Sequence, residues 1–187
     1  MSTETISKKL FTVDEFYRMA DAGILPEEGR FELIRGEIIE MPLAGSPHAG
    51  RVKRLIHLFT FRLGETAIVS VQDPVLLDRH SQPLPDLALL KPRADFYTEA
   101  HPTPGDVLLL VEVADASVWY DTKIKAGLYA EFAIPEYWLL DIHKDVVVVR
   151  TNPANGEYRE VEIKPRGETI QPCKLPNAAF LSDEILG

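Results

Sequence analysis

The sequence predicts a mixed α/β fold of the α+β type, in which helices flank a mixed β-sheet that carries additional β-hairpins. Helical and strand patterns follow one another in the order helix, hairpin, helix, strands, helix, strand, hairpin. One helical pattern separates the strands "DVLLLVEV" and "EYWLLDI", which indicates a crossover between parallel strands. The remaining strands are close enough in sequence to pair antiparallel, so the sheet should be mixed.

Length and composition are typical of one globular domain. The chain has 187 residues, of which 45% are hydrophobic and 26% are charged. These values suit a single compact core and argue against disorder. Because no internal repeat, low-complexity tract or linker divides the sequence, we expect one domain over residues 1–187.

Charge, apolar runs and cysteine content exclude several classes of protein. The apolar runs are no longer than a strand, and the N-terminal segment lacks the apolar core of a secretory signal, so we expect a cytoplasmic protein with no membrane partner. Cys173 is the single cysteine, which excludes an intrachain disulfide and a cysteine-based zinc site. The net charge of −9 argues against a passive DNA-binding protein, whose affinity comes mainly from phosphate neutralisation. An enzyme with local substrate contacts is not excluded.

The first two elements have clear local signals. Thr12 and Glu15 form a capping box for a helix over about residues 13–22, and Gly23 suits its C-terminal end. The segment "FELIRGEIIEM" then predicts a hairpin that turns at Arg35-Gly36.

A second helix should begin near Ser46-Pro47, with serine as N-cap, and end at Leu63 before Gly64. Its apolar face consists of Val52, Leu55, Ile56, Phe59 and Leu63. Four basic residues lie elsewhere on this helix and are either candidate phosphate contacts or a solvated helix face: Arg51, Lys53, Arg54 and Arg62.

The second half of the chain contains most of the predicted sheet. Strand patterns occur at "AIVSVQDPVLL", "DLALL" and "DVLLLVEV". A helix from about Val118 to Phe132 precedes Pro135 and the strand "EYWLLDI". The segments "DVVVVRT" and "EYREVEI" flank Asn-Pro-Ala-Asn-Gly and indicate a further hairpin. We expect the proline-rich tail to be irregular.

Three carboxylates occur among the apolar residues of predicted strands: Glu32, Asp86 and Glu112. One solvated strand face accounts readily for Glu32 and fairly well for Asp86. It accounts poorly for Glu112, because its strand is apolar on both faces and an unpaired buried carboxylate is strongly unfavourable. Two such acids at neighbouring strand ends would make a hard oxygen site for Mg²⁺, with Mn²⁺ as a substitute. Zinc is disfavoured, since His48 and His57 lie nine positions apart and no cysteine cluster is present.

Lys125 could complete such a site. It follows Asp121 by four positions, so a simple helical ion pair is one interpretation. In the other, Lys125 points back to the end of the sheet beside the acids, where its ammonium would orient the attacking water or stabilise charge on a phosphoryl group. Tyr129, one turn further, would support it or serve only in packing.

The segments "RFELIRGEIIEM", "PDLALL", "VEVADAS" and "YDTKIKAGLYAEFAIPEYWLLDI" resemble, in this order, the motifs of the Uma2 family of the PD-(D/E)XK nuclease superfamily. The family is also catalogued as a domain of unknown function and is usually described as a restriction endonuclease family. The resemblance covers about Phe31 to Asp141. It implies a restriction-endonuclease-like core. It also implies a homodimer with DNA as substrate, because cutting both strands usually needs two active sites.

The resemblance also assigns residues. It implies that Asp86 and Glu112 are metal ligands and that Glu32 is a further acid of the catalytic set. It places His48 where family members often carry a histidine. The superfamily pattern has lysine two positions after the second acid, where this sequence has Ala114. The resemblance implies that Lys125, rather than Lys123, takes that role from the following helix.

Two functions follow as hypotheses. The first is a Mg²⁺-dependent endonuclease that hydrolyses DNA phosphodiester bonds, with Glu32, Asp86, Glu112 and Lys125 as its catalytic residues and Asp86 and Glu112 as its metal ligands. The alternative is a degenerate, non-catalytic member that serves as a protein-interaction or DNA-associating module. The acidic net charge and the lack of a separate DNA-recognition domain favour the alternative.

Overall fold

The computed structural model describes residues 6–115 and 117–187. The chain forms two compact units: Met1–Leu43 with Leu76–Pro83, and Ala44–Val75 with Leu84–Gly187. We describe each unit by itself. The expectation of a single domain stays a prediction.

The first unit contains helix α1, Val13–Asp21, which begins as the capping box predicts. The amide of Glu15 donates to Thr12 Oγ1 at 3.2 Å, and the amide of Thr12 donates to Glu15 Oε2 at 2.8 Å. These two bonds satisfy backbone donors that the first helical turn leaves unpaired. After the helix, Gly23 has a φ of 69° and its amide donates to Ala20 O, which confirms the predicted end of the helix to within one residue.

The predicted hairpin of the first unit is confirmed. Strands β1, Arg30–Ile34, and β2, Glu37–Met41, pair antiparallel. Arg35 and Gly36 between them have φ angles of 50° and 77°, the positive values of a two-residue type I′ turn. A Cβ at Gly36 would lie 2.6 Å from Leu10 Cβ, so glycine is required there for space as well as for conformation.

The second unit is built on a six-stranded mixed sheet whose strands lie side by side in sequence order. Only β5 and β6 pair parallel, which confirms the predicted crossover and the mixed α/β fold class. The strands are β3 (Ile68–Val71), β4 (Leu87–Leu90), β5 (Val107–Ala114), β6 (Glu136–Asp141), β7 (Val146–Ala154) and β8 (Glu157–Lys164).

Helix α2, Ser46–Leu63, packs on one face of this sheet. Its N-cap is Gly45 rather than the predicted Ser46, and no side chain caps it. The predicted apolar face is correct, since Val52, Leu55, Phe59 and Leu63 are buried and Ile56 packs against them. Phe59 meets Trp138 of β6 at a ring-centroid distance of 6.2 Å. The main core therefore lies between α2 and the sheet.

The crossover helix differs from the predicted continuous helix over 118–132. It consists of α3 (Val118–Tyr120), a π-helical segment (Asp121–Lys125) and α4 (Ala126–Glu131). In the π segment, the amide of Ala126 donates to the carbonyl of Asp121, five residues back. This local change of helix type lies at the candidate lysine.

Turns and tail also differ from the sequence-based expectations. Strand β7 continues through Pro153, so the final hairpin turns at Asn155-Gly156 rather than over five residues. The tail is not irregular throughout: β9 (Thr169–Ile170) pairs with β10 (Phe180–Leu181), and α5 (Ser182–Leu186) follows. Arg62 of α2 forms an ion pair with Glu184 of α5 and donates to Ala179 O, so this arginine has a structural role.

None of the helices described is both long enough and apolar enough to cross a bilayer.

Candidate active site

Glu112 lies on β5 of the second unit, opposite Asp86, the residue directly before the neighbouring strand β4. The antiparallel register of β4 and β5 pairs Leu87 with Val111, and Asp86 directly precedes Leu87. The amide of Asp86 donates to Glu112 Oε2 at 3.3 Å, and the amide of Val113 donates to Asp86 Oδ2 at 2.9 Å. Each strand therefore holds the carboxylate of the other by a backbone N–H group. These bonds compensate part of the cost of burying two acids.

Lys125 and Tyr129 converge on Glu112 from the crossover helix. Lys125 Nζ lies 2.9 Å from Glu112 Oε1, and the Tyr129 hydroxyl donates to the same oxygen at 2.8 Å. Lys125 is 1% exposed and Glu112 is 3% exposed. In contrast, Lys123 is exposed and lines a different pocket. The structure thus brings Lys125, and not Lys123, to the acidic pair.

Asp86 has two further side-chain contacts. His48 Nε2, in the first turns of α2, lies 2.9 Å from Asp86 Oδ2. Gln72 Nε2, just beyond β3, donates to Asp86 Oδ1 at 3.2 Å. Gln72 has a φ of 54°, a left-handed conformation that is uncommon for a residue other than glycine. The end of β3 is therefore shaped so that this amide reaches the carboxylate.

These contacts favour the ionised form of Asp86. Burial by itself would raise its pKa, but the hydrogen bond and positive charge of His48, the Val113 amide and the charge of Lys125 act in the opposite direction. The net result is a pKa below the ordinary value of an aspartate. Asp86 is therefore a carboxylate at neutral pH despite its burial.

Asp121 belongs to the same helix as Lys125 but is not a surface partner. It is buried, and its Oδ2 accepts a hydrogen bond from the Ser117 hydroxyl. The hydroxyl of Tyr137 donates to its backbone carbonyl at 3.3 Å. The interpretation of a simple helical pair between Asp121 and Lys125 stays a prediction.

Comparison with known proteins identifies the family. The model of the Uma2 family, described as "Putative restriction endonuclease", matches residues 13–181. This chain belongs to the Uma2 family. Family membership and the nuclease-type fold support a nuclease function.

A solved structure supports the fold of this Uma2 protein. One matching structure is a "putative nuclease belonging to DUF820" from Anabaena variabilis, with a TM-score of 0.73 and 18% sequence identity. The alignment covers 94% of this chain and 97% of that one. Among curated proteins, none matches the sequence significantly. At this level of identity the structural match concerns the fold alone.

Glu32, the remaining site residue proposed from the sequence, lies on β1 in the first unit. It is buried and opposite Ile39 of β2 in the hairpin register. The predicted solvated strand face is therefore wrong for Glu32. Its place in the catalytic set stays a prediction.

The donor groups of this Uma2 protein suit a hard divalent cation. Asp86 and Glu112 contribute carboxylate oxygens from adjoining strands, and Mg²⁺ in proteins is commonly held by one or two carboxylates plus water. Within the described ranges 6–115 and 117–187, no cluster of three or more His, Cys, Asp or Glu side chains is suited to hold a metal. Asp86 and Glu112 match the carboxylate part of such a donor set.

Sequence reasoning missed Gln72. Its position after "IVSV" gave no signal, because neither its left-handed backbone nor its proximity to Asp86 can be read from local pattern. His48 was identified through the family resemblance alone. Its contact with Asp86 depends on the packing of α2 against the sheet, which local sequence does not encode.

Proposed function

We propose that this Uma2 protein is a divalent-metal-dependent endonuclease that hydrolyses DNA phosphodiester bonds, with Mg²⁺ as the metal and Mn²⁺ as a substitute. The observation that carries the proposal is the 2.9 Å contact between Lys125 and Glu112, beside the ionised Asp86 of the neighbouring strand. A buried ammonium next to two acids is unfavourable as a packing device and well suited to phosphoryl chemistry.

The charge of each residue determines its proposed role. Asp86 and Glu112 would hold the metal, which when bound supplies Lewis-acid stabilisation of the charge that develops on the phosphate. Lys125 would orient the attacking water or stabilise the same charge from the other side. Tyr129 and the Asp86 amide fix the orientation of Glu112, while His48 and Gln72 fix that of Asp86. Glu32 is included in the catalytic set on the family resemblance.

Basic residues on α2 support DNA as the substrate. Lys53 and Arg54 are exposed on the helix that carries His48, within a protein whose net charge is −9. A local basic surface on this helix would bind the phosphate backbone although the whole molecule is acidic.

Plasmid cleavage tests the proposal. Wild-type protein with Mg²⁺ or Mn²⁺ should nick or linearise supercoiled DNA, and the Asp86→Asn variant should not. Asp145→Asn is a matched control, because Asp145 is a half-buried aspartate of the second unit that pairs with Arg166. Lack of cleavage by the wild type, or equal cleavage by Asp86→Asn, contradicts the proposal.

A second candidate function is the non-catalytic module. It is favoured by the observation that protein donors already satisfy all four oxygens of Asp86 and Glu112. Isothermal titration with Mg²⁺ or Mn²⁺ separates the two functions. Metal binding that Asp86→Asn abolishes supports the nuclease, whereas a protein that binds neither ion supports the module.

We also propose that the protein acts as a homodimer, because cutting both strands of a duplex generally requires two active sites. Sedimentation equilibrium would give the mass in solution. A monomer that still produces double-strand breaks contradicts this proposal.

A further inference from the structure

A second polar pocket lies in the second unit, between the crossover helix and the final hairpin. Its volume is about 280 Å³. The residues that matter for its chemistry come from the π segment, α4, β7, the hairpin turn and β8: Thr122, Lys123, Gly127, Arg150, Gly156 and Glu157. We call it the Arg150 pocket. It is separate from the Glu112 site, because β7 is two strands away from β5, or about 10 Å across the sheet.

Arg150 is an uncompensated buried cation. It is 9% exposed, and its Nη1 atom is buried without a hydrogen-bond partner. Its guanidinium carbon lies 5.6 Å from the Tyr137 ring centroid, a cation–π contact that does not neutralise the charge. Over residues 6–115 and 117–187, no acidic side chain forms an ion pair with it. Native proteins rarely leave a buried charged donor unpaired without a functional reason.

The surroundings of Arg150 favour an anion. Burial lowers the pKa of Arg150, which reflects the same lack of a counter-charge. Lys123 adds a second positive charge to the lining, and Glu157 is the one acidic residue among the lining residues. A guanidinium with a free N–H group, a nearby ammonium and a threonine hydroxyl match the oxygens of a phosphate group.

We propose that the Arg150 pocket binds a phosphate group. Arg150 contributes the buried fork of N–H donors, and the exposed Lys123 contributes a second positive charge. The phosphate belongs either to a nucleic acid, as a terminal or backbone phosphate, or to a free small molecule. This site is independent of the hydrolytic chemistry assigned to Asp86 and Glu112.

Calorimetric titration without divalent metal tests the pocket, since cleavage cannot then consume the probe. The probes are inorganic phosphate, a 5′-phosphorylated oligonucleotide and the same oligonucleotide without its phosphate. Wild-type protein should bind at least one probe. Arg150→Met should weaken that binding by about tenfold to a hundredfold, the loss expected for hydrogen bonds to a charged group. Lys123→Met should weaken it less.

Controls separate this site from the rest of the molecule. Lys174→Met removes an exposed lysine that does not line the pocket and should bind as the wild type does. Because the titrations contain no divalent metal and score no cleavage, failure of the nuclease proposal leaves this result unaffected. Arg150→Met removes an uncompensated buried charge, so the variant should fold. The melting temperature gives a second measurement: phosphate should raise it for the wild type and leave it unchanged for Arg150→Met.

The probes also identify the source of the phosphate. Preference for the phosphorylated oligonucleotide indicates a terminal phosphate, and equal binding of both oligonucleotides indicates a backbone phosphate. Binding of inorganic phosphate alone indicates a small molecule. Absence of binding to all three probes, or equal binding by wild type, Arg150→Met and Lys123→Met, overturns the proposal.

Discussion

Two buried glutamates on adjacent parallel strands have different surroundings. Glu112 of β5 is 3% exposed and contacts the ammonium of Lys125, a tyrosine hydroxyl and a backbone amide. Glu136 of β6 is fully buried and accepts hydrogen bonds from Trp138 Nε1 and the amide of Cys173, each at 2.6 Å. The first acid has a cationic partner, whereas the second has neutral donors.

The comparison shows that burial alone does not identify a functional acid. Glu136 is more deeply buried than Glu112, and burial raises its pKa above the ordinary value, against the effect of its two donors. Its contacts join β6 to the tail and suit a structural role. Position separates the two as well: Glu136 begins its strand, while Glu112 lies near the carboxyl end of β5, where the crossover helix follows. A nearby cation and a strand-end position therefore distinguish the candidate catalytic acid.

The sharpest test exchanges each acid for its neutral isostere. Glu112→Gln should lower the rate of DNA cleavage by about 10³-fold, the scale of losing a principal electrostatic group in an active site. Glu136→Gln should leave the rate unchanged. Both rates come from plasmid nicking under single-turnover conditions. An equal loss in the two variants would break the distinction between a functional and a structural acid.

Removing the cation should destabilise the fold. Lys125→Met leaves the buried carboxylate of Glu112 without its ammonium, and we expect the free energy of unfolding to fall by about 3–5 kcal/mol. The double variant Lys125→Met with Glu112→Leu should recover much of this loss, because the buried charge is then absent. Urea denaturation of the three proteins measures both effects. If Lys125→Met were as stable as the wild type, the expected contribution of the Lys125–Glu112 ion pair to stability would be contradicted.

The tyrosine contact should have a smaller effect. Tyr129→Phe keeps the ring, which packs against Tyr137 at a centroid distance of 5.2 Å, but removes the hydroxyl that donates to Glu112. We expect a loss of about 1.5–3 kcal/mol in the free energy of unfolding, the usual value for a hydrogen bond to a charged group. Tyr158→Phe is the control, since that hydroxyl donates to the neutral carbonyl of Ile134. A larger loss of unfolding free energy in Tyr158→Phe than in Tyr129→Phe would contradict this expectation.

The smallest effect is a pH dependence that comes from Glu136. Its pKa is higher in the folded protein than the ordinary value of 4.5, so the folded state binds the proton more tightly. The stability that this proton contributes is present below the ordinary pKa and is lost as the pH rises through the raised value. Glu136→Gln should lack this decline, which thermal unfolding between acid and neutral pH would reveal. Parallel pH profiles for wild type and variant would exclude the effect.

Local sequence patterns predicted the elements whose signals are local. The capping box at Thr12, the turn at Arg35-Gly36 and the apolar face of α2 depend on neighbouring residues, and each is present. Glu112 was singled out because it interrupts an apolar run. Glu136 was not, because it begins its strand and follows a proline, where a polar residue is common.

Features that depend on distant packing were not predictable in the same way. The contacts of Asp86 with His48 and Gln72 join segments far apart in the chain. The π segment has the residue types of an ordinary helix. It differs from an α-helix only in which backbone carbonyl each amide donates to, and composition does not show this. The short strands of the tail place Ile170 and Phe180 in the core formed by α2 and the sheet, a contact that local sequence does not show.

Because of the π segment, the alignment of the candidate site depends on the number of residues in the crossover helix. It holds one residue more in its turn than an α-helix would, and α4 with Tyr129 begins directly after Lys125. In an uninterrupted α-helix, one residue more would rotate everything downstream by about 100°, the angular step of one α-helical residue. The wider π turn takes up that residue, and Lys125 and Tyr129 both reach Oε1 of Glu112. A residue inserted between Lys125 and Tyr129 would keep every chemical group of the site and turn the two side chains away from their shared carboxylate oxygen.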